Sequence, residues 1–220
     1  MKVLVTGGAG FIGSNLVDKL VNLGHEVVVL DNCSTGRLSN LSRVKNKIKF
    51  VNADITIANK NLTKHFHKVD WVFHLAGLAD IIPSIINPNE YFKSNVLGTF
   101  NILEASKKAK IKKFIYAASA SCYGIPKKYP TDEKSKIDTK YPYALTKFLG
   151  EQLVIHWSKV YARPNISLRF FNAYGPRSRT TGVYGAVFGV FLAQKIAKKP
   201  LTIVGDGNQT RDFIHVFDLV

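Results

Sequence analysis

Tyr143 and Lys147 stand four residues apart at the start of a helical stretch, a spacing that puts both side chains on one face. A phenol has a reference pKa near 10, so a tyrosine acting as a base at neutral pH needs a shift of about three units, or about 4 kcal/mol. An ammonium about 5 Å away, at an effective dielectric of about 20, supplies roughly 3 kcal/mol. A second positive charge is needed for the remainder. A tyrosine and a lysine on the solvent face of an amphipathic helix would show the same spacing, so a third group matters. Ser119 begins Ser119-Ala120-Ser121-Cys122-Tyr123-Gly124 at the end of an apolar segment. A serine at the C-terminal edge of a central strand lies where open α/β sheets bind ligands, and its hydroxyl can share a hydrogen bond with a substrate hydroxyl and Tyr143. The alternative is that Ser119 and Ser121 simply terminate a strand.

A second constellation opens the chain. The apolar run Lys2–Thr6 leads into Gly7-Gly8-Ala9-Gly10-Phe11-Ile12-Gly13 and then an amphipathic stretch. Glycines let the turn tighten and the backbone approach a pyrophosphate, which sits on the helix N-terminus where free N–H groups point outward. Asp31 follows 18 residues after Gly13, placed to hydrogen-bond ribose hydroxyls and to repel a 2′-phosphate. NAD is therefore favoured over NADP, although Arg37 is near enough to receive such a phosphate. Asp31 beside Asn32 and Gly36 could also be a plain turn residue. Asp54 reads equally as an adenine contact or a loop residue capping a helix.

These groups need elements to hold them. Candidate strands are Lys2–Thr6, Glu26–Leu30, Ile48–Val51, Trp71–Leu75, Phe114–Ala118 and Ile166–Phe170, short and often β-branched. Helix-length stretches between them include Phe11–Leu23, Glu90–Lys108 and Tyr143–Val160. This alternation predicts an α/β fold, a Rossmann-like doubly wound parallel sheet spanning residues 1–170. From Phe171 the texture changes: Gly175-Pro176-Arg177 and Thr180-Thr181-Gly182 read as loop, Tyr184–Lys198 as helix and Leu201–Val204 as strand. Residues 171–220 thus read as the start of a small C-terminal substrate region. The chain stops at Asp218-Leu219-Val220, where another helix begins, so the region reads as partly missing.

Composition narrows the function classes. Hydrophobic residues make up 46% of 220, enough for a sizeable core. No apolar run reaches the roughly 18 residues of a membrane helix. Cys33 and Cys122 are isolated, which suits a reducing cytoplasm better than a disulfide scaffold. The 31 Lys and Arg against 15 Asp and Glu leave a formal charge of +16, which favours anionic partners such as nucleotides, sugar diphosphates or nucleic acid. The dense run Lys107-Lys108-Ala109-Lys110-Ile111-Lys112-Lys113 falls where a helix ends, and lysines there complement the helix dipole. That reading is preferred to a polyanion site. His74 and His156 lack companions at metal-ligand spacing, so no metal is expected, and no nucleophile elbow or P-loop is present.

Taken in order, these motifs resemble the extended short-chain dehydrogenase/reductase family, in its NAD-dependent epimerase/dehydratase branch. The likeness runs along nearly all of the chain. It rests on the Thr6–Gly13 glycine motif, Asp31-Asn32, Asp54-Ile55, His74-Leu75-Ala76-Gly77, Asn95-Val96-Leu97-Gly98-Thr99, the Ser119 segment, Tyr143 with Lys147, Phe171–Arg177 and Arg211–Val216. The resemblance implies NAD as cofactor, held by Gly7, Gly10, Phe11, Ile12 and Gly13, then by Asp31, Asn32, Ser34, Thr35 and Gly36. Asp54, Ile55, Leu75, Ala76, Gly77, Tyr143 and Lys147 complete that set, with Asn95 as a structural residue behind the cofactor. It implies Tyr143 as base, Lys147 as the group that lowers its pKa, Ser119 and Ser121 as contacts to the sugar, and Asn172 and Arg211 on the substrate diphosphate.

The implied reaction is epimerisation at C4 of a UDP-hexose through a 4-keto intermediate. Relatives that carry out 4,6-dehydration resemble one another in having an Asp-Glu pair after the active-site Thr or Ser. Here that stretch is Ala120-Ser121-Cys122, which favours epimerase over dehydratase. Rival readings are a UDP-N-acetylglucosamine or UDP-glucuronate 4-epimerase, a 4,6-dehydratase, a decarboxylase, or, more distantly, a nucleic-acid-binding relative without catalysis. The intact Tyr143, Lys147 and Ser119 argue against the last. The resemblance also implies a homodimer built on the helices Glu90–Lys108 and Tyr143–Val160.

Overall fold

The computed structural model describes residues 1–58, 60–178, 187–203 and 205–220. Six strands form one all-parallel sheet in the order β3-β2-β1-β4-β5-β6. They are β1 (Lys2–Thr6), β2 (Glu26–Asp31), β3 (Ile48–Asn52), β4 (Trp71–His74), β5 (Lys113–Ser119) and β6 (Asn165–Phe170). The helices are α1 (Phe11–Asn22), α2 (Lys60–Thr63), α3 (Ile81–Ile86), α4 (Pro88–Phe92), α5 (Gly98–Ala109), α6 (Pro142–Val160), α7 (Val187–Ile196) and α8 (Val216–Leu219). A separate parallel pair, β7 (Asn172–Tyr174) and β8 (Phe213–His215), begins with Asn172, and Arg211 lies two residues before its second strand. The fold is the expected Rossmann-like one. Strand order reverses between β1 and β4, and the crevice beyond their C-terminal ends is where such sheets bind ligands.

Period-two alternation decides which side each residue serves. Val3 and Val5 enter a cluster with Val17, Leu20, Val27 and Val29 under α1. Leu4 points the other way and joins Val28, Leu30, Val72, Ile102 and Phe114 under α5. Each such side chain, fully removed from water, stabilises by about 1.5–3 kcal/mol.

Most elements fall within a residue or two of expectation. The Glu90–Lys108 helix is one rod from Pro88 to Ala109, interrupted by a π-helical turn at Lys93–Leu97. Thr99 Oγ1 donates to the Asn95 carbonyl at 2.7 Å inside that turn, a side-chain insertion of the kind that disturbs an i→i−4 ladder. The C-terminal helix, Val187–Ile196 among the described residues, ends two residues before the expected Lys198, and residues 184–186 lie outside the described ones, as do Thr180, Thr181 and Gly182. One expectation needs correction. Leu201–Ile203 is irregular rather than a strand, with Val204 outside the described residues. Gln194 of α7 explains the difference: its amide oxygen accepts from the Thr202 N–H at 3.1 Å and its nitrogen donates to Thr202 Oγ1 at 2.7 Å. A helix side chain satisfies the backbone group that a neighbouring strand would otherwise take.

The lysine run after α5 is engaged locally. Lys107 pairs with Glu104 at 2.6 Å, Lys112 with Asp70 at 2.7 Å, and Lys113 lies 4.8 Å from the Trp71 ring centroid. Among the described residues, no helix is long and apolar enough to cross a membrane.

Polar groups tie the two halves of the sheet at the switch point. Thr6 and His74 are register partners, and Thr6 Oγ1 lies 2.6 Å from His74 Nδ1. His74 Nε2 lies 3.0 Å from Thr99 Oγ1. The Thr99 proton goes to Asn95, so His74 Nε2 carries the ring proton and Nδ1 accepts from Thr6.

Two outcomes follow for stability. At Gly150 in α6 an added Cβ would run into Tyr116 Oη and come 2.9 Å from the Asn95 carbonyl. Gly150→Ala gains up to about 1 kcal/mol of helix propensity but is expected to lose more from overpacking, which costs about 1–3 kcal/mol. Urea unfolding should show a lowered midpoint. Burial holds the His74 pKa at about 3, far below its ordinary 6.5. The unfolded chain takes up this proton first, so stability is full above pH 6.5 and falls as pH drops toward 3. The slope from this group is up to about 1.4 kcal/mol per pH unit. Unfolding free energies measured from pH 7 to 4 should show it, and His74→Asn should flatten it.

Candidate active site

Three elements converge on Tyr143. β5 ends at Ser119, the segment after it turns at Ser121, and Pro142 starts α6 with Tyr143 in its first turn. Proline is at home there, because its missing N–H is one the helix leaves unpaired anyway. Tyr143 Oη donates to Ser119 Oγ at 3.2 Å. Ser119 Oγ also lies 2.8 Å from Ser121 Oγ and accepts from the Ser121 N–H at 3.2 Å. The structure thus brings Tyr143, Ser119 and Ser121 together. Tyr91 of α4 meets the Tyr143 ring edge-on at 6.4 Å, and its hydroxyl donates to the Ala79 carbonyl.

Burial dominates the electrostatics of the ligand-free site. Burial pushes the Tyr143 pKa up, the Ser119 hydrogen bond pulls it down, and the charge of Asp80 raises it again. Lys147 is not among the groups that lower it. Instead, burial pulls Lys147 itself down to about 7, with Glu151 acting in the opposite sense. The same low-dielectric wall penalises both charged forms, so the lysine alone does not make the phenol acidic. Asp80 holds φ 86°, a strained setting for a residue with a Cβ.

Glu151 lies one turn beyond Lys147 and is buried. Arg169 of β6 grips it through Nε at 2.9 Å to one oxygen and Nη2 at 2.6 Å to the other, while Ser167 Oγ donates to it at 3.2 Å. Arg169 also donates to Tyr123 Oη at 2.7 Å. This buried pair clamps α6 and the segment after β5 to the edge strand. The i, i+4 spacing from Lys147 to Glu151 was the available signal, but nothing in the sequence marked Arg169 as its partner.

The dinucleotide residues form a backbone cradle. A Cβ at Gly7 would come 2.6 Å from Ala76 N, one at Gly10 would come 3.2 Å from the Gly7 carbonyl, and one at Gly13 would run into that carbonyl. Gly7 also has φ 71°. These contacts bring β1, α1 and the Leu75–Gly77 segment so close that only backbone lines the start of α1, the geometry a pyrophosphate requires. Asp31 ends β2, and its carboxylate accepts from Ala9 N at 2.9 Å and Cys33 N at 2.8 Å. Two lone pairs per oxygen leave it capacity for ribose hydroxyls. The Ser34–Arg37 loop folds onto the cradle: Arg37 N donates to the Ala9 carbonyl at 3.0 Å, and a Cβ at Gly36 would come 2.9 Å from Ala9. Thr35 and Arg37 are exposed. Asn32 Nδ2 and Asp54 Oδ2 lie 3.5 Å apart, and Asp54 Oδ1 accepts from Thr56 N at 2.8 Å, so Asp54 serves as a turn residue at least. Ile55 is core, packed under Gly98. Phe11 and Ile12 open α1, and Ile12 faces Leu75 across an apolar groove.

Asn95 is buried with its amide fully used: Oδ1 accepts from Leu78 N at 2.8 Å, and Nδ2 donates to the Leu78 carbonyl and Thr146 Oγ1 at 3.0 and 3.1 Å. It pins the loop after β4 to α6. These residues fit NAD: a glycine cradle at a helix start, a carboxylate at the end of β2, and a lysine on α6. Among the described residues, no group of His, Cys, Asp or Glu is arranged to hold a metal ion.

The substrate candidates lie at the small β7–β8 pair. β7 pairs with β8 in the register Asn172↔Phe213, and Asn172 Nδ2 donates to the Asp212 carbonyl at 2.9 Å. Arg211 is carried into the neighbourhood but is exposed, its guanidinium on the Thr210 carbonyl at 2.7 Å. The turn after β7 is fastened to α1: Arg177 pairs with Asp18 at 2.6 Å, and Asn15 Nδ2 donates to the Pro176 carbonyl at 3.2 Å. Sequence reasoning did not find these fastenings, because they join positions far apart in the chain.

Comparison with known proteins agrees with this geometry. The NAD dependent epimerase/dehydratase family model matches residues 3–220. A UDP-glucose 4-epimerase of Mycolicibacterium smegmatis is 38% identical, over all of this chain and 71% of its own. The structure of Thermotoga maritima UDP-glucose 4-epimerase with UDP-glucose aligns with a TM-score of 0.94 at 34% identity, covering 100% of this chain and 71% of that one. The UDP-N-acetylglucosamine 4-epimerase of Methanobrevibacter ruminantium, in complex with UDP-N-acetylmuramic acid, aligns equally well, at 0.94 and 33% identity over 99% and 70%. Matched along nearly its whole length, this chain belongs to the NAD dependent epimerase/dehydratase family, and NAD is its cofactor.

Proposed function

We propose that this protein inverts C4 of a UDP-hexose of the glucose/galactose type, with residues 1–170 holding NAD and residues 171–220 beginning the substrate region. The observation that carries this reading is the Tyr143 Oη to Ser119 Oγ hydrogen bond at 3.2 Å, at the sheet edge beside the glycine cradle. NAD, held by the glycine cradle and Asp31, would supply reversible hydride acceptance at the sugar C4. The chain's own task is to move one proton. Tyr143 as phenolate takes the proton of the C4 hydroxyl as the C4–H bond breaks, and gives it back once the ketone has turned over. Ser119 shares a hydrogen bond with that hydroxyl and Tyr143, and Ser121 steadies Ser119. Asn172 and Arg211 are the proposed contacts of the UDP diphosphate.

Burial and Asp80 both oppose the phenolate, so positive charge beside Tyr143 must offset them. A cation about 5 Å away contributes roughly 3 kcal/mol at an effective dielectric of about 20. Lys147 one turn on is the chain's contribution. Proton transfer therefore belongs to the loaded protein rather than the free one.

The stretch Ala120-Ser121-Cys122 offers no carboxylate for a second acid–base step, which favours epimerisation over 4,6-dehydration. A specific observation supports a second substrate: the likeness to the N-acetylglucosamine enzyme equals that to the glucose enzyme. Two free cysteines accord with a cytoplasmic location. Exposed Phe92, Leu97 and Phe100 on the Pro88–Ala109 rod and Leu145 on α6 support a homodimer built there.

Incubation with UDP-galactose, UDP-glucose and UDP-N-acetylglucosamine, followed by chromatography of the products, tests the reaction. Interconversion of the first two supports the proposal, and a dehydrated product refutes it. Tyr143→Phe should lower kcat by at least about 10²-fold while NAD remains bound. Sedimentation should give twice 24.5 kDa, and Phe92→Lys should shift the protein toward monomer.

A further inference from the structure

We propose that Tyr116 is a positioning residue for this reaction, the face of its ring holding the Lys147 ammonium as a cation within the wall of the site. Lys147 Nζ lies 4.3 Å from the Tyr116 ring centroid, well within the range at which a ring face attracts an ammonium. Both residues are buried, so water does little to screen the contact.

The ring cannot drift. Its hydroxyl donates to the Lys147 carbonyl at 3.3 Å, its far side stacks on His74 at 5.6 Å, and Gly150 leaves no room between it and α6. The charges around the ammonium show why a neutral ring matters. Among the described residues Glu151 is the carboxylate that raises the Lys147 pKa, and Arg169 from β6 grips both its oxygens, so its charge is shared between the two cations. From β4, His74 is neutral, since burial holds its pKa far below its usual value. Asp80 ahead of α3 acts on Tyr143 one turn away, and Tyr91 of α4 touches that same ring. Tyr123 after β5 is turned to Arg169. Asn95 and Thr99 on the long rod carry no charge. The electron-rich face of Tyr116 thus joins the shared Glu151 charge in opposing the desolvation of Lys147, and does so in direct contact with the ammonium.

Tyr116 matters to catalysis only if Lys147 acts as proposed above, whereas the ring–ammonium contact can be measured without turnover. The experiment follows the Lys147 side-chain methylene by carbon NMR through a pH titration of the full chain, with the signal assigned by its loss in Lys147→Arg. Tyr116→Phe keeps the ring and should titrate as the parent does. Tyr116→Leu removes it and should lower the midpoint by about one pH unit, or about 1.4 kcal/mol. Phenylalanines with increasing fluorination at position 116 keep the shape and should lower the midpoint stepwise, which decides the matter if the leucine variant fails to fold. In turnover, Tyr116→Phe should retain the parent pH profile, and the fluorinated variants should move its alkaline limb to lower pH with KM nearly unchanged. A midpoint indifferent to fluorination overturns the proposal. A midpoint that follows the ring in a protein that turns over no UDP-sugar supports the contact and overturns the function, so the two failures are distinct.

Discussion

The α6 helix has to lie against β5 closely enough for a buried lysine to reach an aromatic face, and Gly150 is where that closeness is decided. A side chain there would meet Tyr116 and the Asn95 carbonyl. With none, the helix backbone rests on the sheet and carries Tyr143, Thr146, Lys147 and Glu151 to fixed depths. Each then meets a partner of its own: Ser119 at the end of β5, Asn95 in the π-helical turn, Tyr116 in the middle of β5, and Arg169 on the edge strand. The site is rigid because one helix is fastened at four levels.

That rigidity has an electrostatic consequence. A wall tight enough to place a phenol and an ammonium precludes water from solvating either, so burial raises Tyr143 and lowers Lys147. The resting protein is poised against its own chemistry. Under the proposed chemistry, charge brought in by the cofactor and the aromatic support beneath the lysine act on the same deficit from two sides.

Much of this was legible in the sequence. The first strand, the glycine turn and the helix after it are local, and each residue's neighbours in the chain are its neighbours in space. Ser119 at a strand end and Tyr143 in a first helical turn are legible for the same reason. Lys147 on the Tyr143 face of a helix is legible in the same way, whereas its burial is not, because burial belongs to the tertiary fold. Tyr116 reads from the sequence as one more apolar strand position; only the register of α6 over β5 gives it a cation to face. Arg169 with Glu151, and Arg177 with Asp18, pair residues from distant parts of the chain. Leu201–Ile203 has the composition of a strand, and Gln194 satisfies its backbone instead.

The Arg177–Asp18 fastening has a consequence for how two ligands are held. The turn that follows the Asn172 strand is bolted to the flank of α1, the helix whose first turn closes the glycine cradle. The Asn172 strand and the glycine cradle are therefore referred to one helix, and under the proposed chemistry a displacement of α1 carries both sides of the hydride transfer together.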